Sequence, residues 1–186
     1  MDILYTVEEK YLQAMEELNY GETPKALHLL RAIIAEDENY ARAYYSIGVI
    51  YHYYLKDFQA AGYYYKTSLA LDTNFPDVYE DYLKLLVNLQ LHKTISQVAE
   101  AAVKTAGVNL SAIYETLGLY EEQRQDFVLA KQHYQKAALI TVVDKDRSTL
   151  QDHLRRVGTK IKAKQKMVYA YEGSSLLPFL FHSLRL

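Results

Sequence analysis

Residues 43–72 read AYYSIGVIYHYYLKDFQAAGYYYKTSLALD, and residues 112–140 read AIYETLGLYEEQRQDFVLAKQHYQKAALI. In each, an aromatic residue is followed by two residues and then Ile/Leu-Gly. Each continues to Asp-Phe, then an alanine, an aromatic four residues on, and a small residue three further. The matching positions are Tyr44, Ile47, Gly48, Asp57, Phe58, Ala61, Tyr65 and Ser68 against Tyr114, Leu117, Gly118, Asp126, Phe127, Ala130, Tyr134 and Ala137. The two glycines lie 70 residues apart, which is two periods of a repeat of about 34 residues.

Two further copies fit around these. Residues 79–102 place Tyr79, Tyr82, Leu83 and Leu86 on one stripe and Ile95, Ala99 and Ala102 on the next. Upstream, Ala14, Gly21, Ala26, Leu30 and Ile33 fall at the same offsets. Four repeats result, at about 7–40, 41–75, 76–110 and 111–144. Apolar residues recur within each at three- and four-residue steps, the period of a helix. Breaks at 19–21, 55–57, 90–93 and 123–126 mark short turns between paired helices. Gly48, Ala61, Ser68, Gly118, Ala130 and Ala137 are small enough to let helices approach, with large side chains filling the spaces between.

This pattern resembles the tetratricopeptide repeat: Tyr44-x2-Ile47-Gly48-x2-Tyr51, later Ala61-x3-Tyr65. The departures are Thr73 where proline is usual, Glu121 for the first-helix tyrosine of repeat four, Lys10 for the leading aromatic of repeat one, and one extra residue in the 51–57 turn. The resemblance implies an all-α, α-α superhelix: a solenoid of about four antiparallel helix pairs plus a C-terminal capping helix. Residues 1–172 would form a single domain. The capping helix is expected over about 146–171, with Leu150, Leu154, Val157, Ile161 and Val168 on one stripe and Asp146 or Ser148 as N-cap. Residues 173–186, GSSLLPFLFHSLRL, then read as a turn and a short apolar tail. That tail is expected to fold back or to support a homodimer.

Composition narrows function. The chain has 186 residues and no cysteine, which excludes disulfides, thiolate metal sites and cysteine nucleophiles. No signal peptide or membrane span is legible, so a cytoplasmic location is expected. The six histidines have no metal-ligand spacing, and phosphate-loop, dinucleotide and nucleophile-elbow motifs are missing. The pairs Glu16–Glu17 and Glu121–Glu122 are adjacent in sequence, a poor arrangement for acid/base work, and read as solvated faces. The expectation is a non-enzyme with no cofactor and no metal. Residues 144–186 carry nine Lys/Arg against four acids, +5, and the remainder is −7. The basic segment raises nucleic-acid or anionic-surface binding, but its charges surround the helix without interleaved aromatics, so a wet cap is preferred.

The resemblance further implies a groove lined by the first helix of each pair, where a protein or peptide partner binds. Carried onto this sequence, that gives Arg42, Tyr45, Val49, His52 and Tyr53 in repeat two, and Asp77, Glu80, Lys84, Val87 and Asn88 in repeat three. Repeat four gives Ala112, Glu115, Leu119, Glu122 and Gln123, and repeat one Tyr11 and Met15. The subclass that grips a C-terminal carboxylate needs cations where this chain has Asp77 and Asp81, which disfavours that ligand. The functional expectation is a scaffold or adaptor, with an assembly or secretion chaperone as the alternative.

Overall fold

The computed structural model describes residues 6–180, with side chains to residue 167. Among the described residues the protein is all-α. Its helices are α1 (Val7–Asn19), α2 (Thr23–Glu36), α3 (Ala41–Val49), α4 (Phe58–Leu71), α5 (Asp77–Asn88), α6 (His92–Lys104), α7 (Leu110–Gln123), α8 (Phe127–Ile140) and α9 (Asp144–Leu180). A π-helical turn, Ile50–Leu55, prolongs α3. Consecutive helices pair, α1 with α2 through α7 with α8, and α9 packs on α8. Two compact bodies result, Met1–Asn109 with three pairs and Leu110–Leu186 with the fourth pair and α9. The division falls between repeats three and four of the expected single domain.

Local chemistry sets the boundaries. At α1, Thr6 Oγ1 accepts from Glu9 N–H at 3.2 Å while Glu9 Oε2 accepts from Thr6 N–H at 2.7 Å, a reciprocal cap. Asp57 and Asp126 cap α4 and α8, each accepting from the backbone N–H three residues on at 3.0 Å. The turns within the four pairs share one device, a left-handed residue: Gly21, Lys56, Gln90 and Gln125, with φ of 85°, 57°, 55° and 62°. The next residue's N–H then reaches back across the helix end, from Glu22 to Glu17, Leu91 to Leu86 and Asp126 to Glu121. This satisfies carbonyls the helix would otherwise leave open.

Repeat two differs by one residue. There Asp57 N–H reaches Tyr51 O, six residues back instead of five, at 3.0 Å. The extra residue anticipated in the turn is absorbed inside the helix as the π-helical turn, and the left-handed residue and the aspartate cap keep their places.

The repeat's large and small residues meet as the sequence implied. Tyr65 and Tyr134 are fully buried, and each ring lies over the glycine of its own pair. A Cβ on Gly48 would stand 2.6 Å from Tyr65 Cδ1, and one on Gly118 2.5 Å from Tyr134 Cε1. In the N-terminal body Ala14, Ala26, Leu30, Ile33, Ala43, Ile47 and Ile50 form a continuous core. In the C-terminal body Ala130, Tyr134 and Ala137 pack on Leu150 and Val157 of α9.

Two expectations need correcting. The capping helix begins at Asp144, with Arg147 closing on the Asp144 carboxylate at 3.0 Å, and continues past 171 to Leu180. A lone glycine in a helix costs only about 1 kcal/mol, so Gly173 does not end it without a capping arrangement. Residues 181–186 of the expected tail lie outside the described residues. Second, Glu121 and Glu122 are not solvated: they are 7% and 9% exposed.

Candidate peptide-binding face

In the N-terminal body the first helices of the pairs are α1, α3 and α5, and polar side chains link each to the next. Tyr11 of α1 shares a hydrogen bond with Ser46 of α3 at 3.0 Å, and Ser46 also reaches Met15 Sδ at 3.7 Å. Between α3 and α5 the links converge on one carboxylate. Tyr45 donates to Asp81 Oδ2 at 2.8 Å, and Tyr53 donates to Asp81 Oδ1 at 2.6 Å.

The surroundings fix both phenols. Tyr45 meets Phe75 edge-on at 5.3 Å between ring centroids, and Tyr53 stacks on His52 at 4.1 Å. His52, buried, shares a hydrogen bond with Tyr65 through Nδ1 at 3.3 Å. Burial, and then the negative charge of Asp81, push Tyr45 well above the ordinary tyrosine range. Burial and the hydrogen bond to Asp81 do the same for Tyr53. Burial lowers His52, which favours the neutral ring.

The other expected positions are placed as follows. Arg42 is exposed, with its guanidinium 5.2 Å from the Tyr11 ring centroid. Val49 is half-buried and Val87 buried, Asp77 is exposed, and Asn88 is exposed at the end of α5. Lys84 is taken up by Glu80 one turn earlier, at 2.6 Å. The structure thus brings Tyr45 and Tyr53 together on Asp81, and pairs Glu80 with Lys84.

Repeat four belongs to the C-terminal body. Glu115 pairs with His153 Nε2 of α9 at 3.1 Å, Leu119 is 37% exposed, Ala112 half-buried and Gln123 exposed. Glu122 is not a free first-helix side chain. Arg156 grips both its oxygens at 2.8 and 2.7 Å, Lys160 adds a contact at 2.8 Å, and Tyr134 donates to it at 2.8 Å. The Arg156 hydrogen bonds lead in holding its carboxyl at about 2. Glu122 and His52 play one part: each is the buried polar partner of its repeat's central tyrosine.

The convergence on Asp81 had a signal in the sequence. Tyr45 and Asp81 are 36 residues apart, close to one repeat, so they sit at similar heights on neighbouring first helices. Among the described residues no group of three His, Asp or Glu could hold a metal ion, and no helix is long and apolar enough to cross a membrane.

No family's sequence pattern and no curated protein matches the chain. Solved structures do match. Residues 41 to the end of MamA from Desulfovibrio magneticus RS-1 superpose with a TM-score of 0.62 at 20% identity, covering 84% of this chain and 96% of that one. PilF of Pseudomonas aeruginosa gives 0.69 at 21%, covering 86% and 72%. The human IFIT1 dimer with PPP-AAAA gives 0.75 at 17%, covering 91% of this chain but 45% of IFIT1. All three are tetratricopeptide-type helical repeat proteins. This chain has the tetratricopeptide-repeat fold. The tetratricopeptide positions that carry it are Gly48 with Tyr65 and Gly118 with Tyr134, whose contacts recur 70 and 69 residues apart.

Proposed function

We propose that this chain is a non-catalytic protein-interaction module, a scaffold or adaptor, that binds a peptide or helix of a partner along the first helices of its repeats. Arg42, Tyr45, Val49, Tyr53, Glu80, Lys84 and Asn88 serve the N-terminal body, and Glu115 and Leu119 the C-terminal body. The observation that carries this reading is the pair of tyrosines held on Asp81. Tyrosine offers large area, few rotors and a polar tip, and a side chain already fixed loses little entropy when a partner arrives. The solenoid neighbours support the same reading, and a cytoplasmic setting belongs to it.

Peptide display against the full chain, followed by binding of the selected sequence to Y45A and K84A, tests this. Each variant should weaken binding about tenfold. Unchanged affinity in both overturns the assignment.

A chaperone role is favoured by one observation. An open cleft of about 420 Å3 in the N-terminal body is lined by Phe58, Tyr63, Tyr82, Leu85, Leu89 and Leu91. Such a cleft suits an aggregation-prone apolar client segment. Rescue of a partner's solubility on co-expression separates chaperone from adaptor. Nucleic acid fits less well, because α9 spends most of its described cations within its own body. Arg156 and Lys160 hold Glu122, Lys164 reaches Gln125 O and the Phe127 ring, and Arg155 pairs with Asp152.

A further inference from the structure

We propose that the Tyr45–Asp81–Tyr53 face receives a lysine or arginine side chain from a basic peptide segment. The inference rests on the interaction-module reading and names the chemistry of its partner. Three observations on the first-helix face of the N-terminal body support it.

The first is an incomplete carboxylate. Asp81 is half-buried and accepts two neutral phenol donors, one on each oxygen. A carboxylate has about four acceptor sites, so the phenols leave room for a further donor. Among the described residues no lysine or arginine forms an ion pair with Asp81 or Asp77, and the nearby Lys84 is drawn to Glu80.

The second is the aromatic surface beside it. Tyr53 is 39% exposed, with its hydroxyl on Asp81, so a cation bound to the carboxylate would also lie near a phenol ring. The same face already carries such an arrangement within the molecule, Arg42 over Tyr11.

The third is the field. The N-terminal body holds nine Lys/Arg against fifteen Asp/Glu, a net charge of −6. That attracts a cationic segment and repels an acidic one. Asp77, exposed one helical turn before Asp81, adds to the local negative potential.

The test uses the full chain and short N-acetylated, C-amidated peptides of alternating arginine and alanine, with glutamate–alanine and serine–alanine counterparts of equal length. Binding is followed by calorimetry in wild type, D81N, Y53L and E100Q. The E100Q variant removes the same unit of charge from an exposed position on α6.

The expected result is that only the arginine peptide binds. D81N should weaken it at least about tenfold, Y53L, which removes the ring, about threefold and E100Q less than twofold. Retained thermal unfolding of D81N shows that the loss is local. Equal weakening by D81N and E100Q would reduce the effect to diffuse charge and overturn the site. Binding of the glutamate peptide, or of no peptide, would overturn the cationic ligand. A display-selected peptide that stays sensitive to Y45A while the arginine peptide fails removes this inference and leaves the interaction module standing.

Discussion

Gly118 lies directly beneath the ring of Tyr134, with no room between them for a methyl group. Alanine there would drive its Cβ to 2.5 Å from Cε1, and the fully buried ring is hemmed in by its own repeat. We expect G118A, and likewise G48A against Tyr65, to lose about 2–3 kcal/mol in urea unfolding. Gly158 on α9 is the control: no atom lies within 4 Å of its missing Cβ, so G158A should be neutral or stabilising by up to about 1 kcal/mol. A neutral G118A would show that the helices separate freely.

Glu122 should tie the stability of the C-terminal body to pH. Its folded carboxyl is held at about 2, below its ordinary 4.5, mainly by Arg156. A depressed carboxylate contributes stability that is present above the unfolded value and is lost as pH falls toward the folded value. The window is therefore about pH 4.5 down to 2, and the contribution at neutral pH is about 3 kcal/mol. E122Q should unfold more easily than wild type at pH 7, and the gap should close toward pH 2. A gap constant with pH would mean that packing, not charge, holds the site.

The three non-glycine left-handed residues predict gains. Lys56, Gln90 and Gln125 occupy the position that Gly21 takes in repeat one. Replacing each by glycine should stabilise by about 0.5–1 kcal/mol, read as an upward shift in melting temperature. Gly21→Ala should cost a similar amount.

Tyr45 and Tyr53 should resist ionisation. Both are raised by burial and by their bonds to Asp81, so the stability they contribute is present below the ordinary tyrosine value of about 10 and is lost as pH rises beyond it. Near-ultraviolet titration of the native chain should show fewer tyrosines ionised just above pH 10 than the unfolded chain. D81A should lower the onset and cost about 1–3 kcal/mol, because two phenols lose their acceptor. Identical native and unfolded curves would contradict this placement.

The helix pairs were legible because their determinants are local and periodic. Gly48, Asp57, Ala61 and Tyr65 announce the pair, and residues 118–134 repeat it. What was not legible depends on partners distant in sequence. Glu121–Glu122 looks like a wet face until Arg156 and Lys160 are seen to arrive on Glu122 from α9, 34 and 38 residues on. The tyrosines of residues 51–65 divide likewise. Tyr65 is fully buried, Tyr51 stacks on Tyr64 at 5.5 Å, Tyr54 is exposed, and only Tyr53 joins the Asp81 face. Their period marks the repeat, but which phenol finds a carboxylate depends on a residue in the next repeat.

The π-helical turn at Ile50–Leu55 has a consequence for how such repeats diversify. An inserted residue taken up in the loop would lengthen the connection and leave the helix surfaces as they were. Taken up within the helix as a widened turn, it shifts the side chains of that turn about the axis, while Lys56 and Asp57 restart the next helix on the usual pattern. One codon gained or lost here would therefore change which side chains the helix end offers to the solvent without disturbing how the pair is stacked. The scaffold can keep its architecture while its recognition surface drifts.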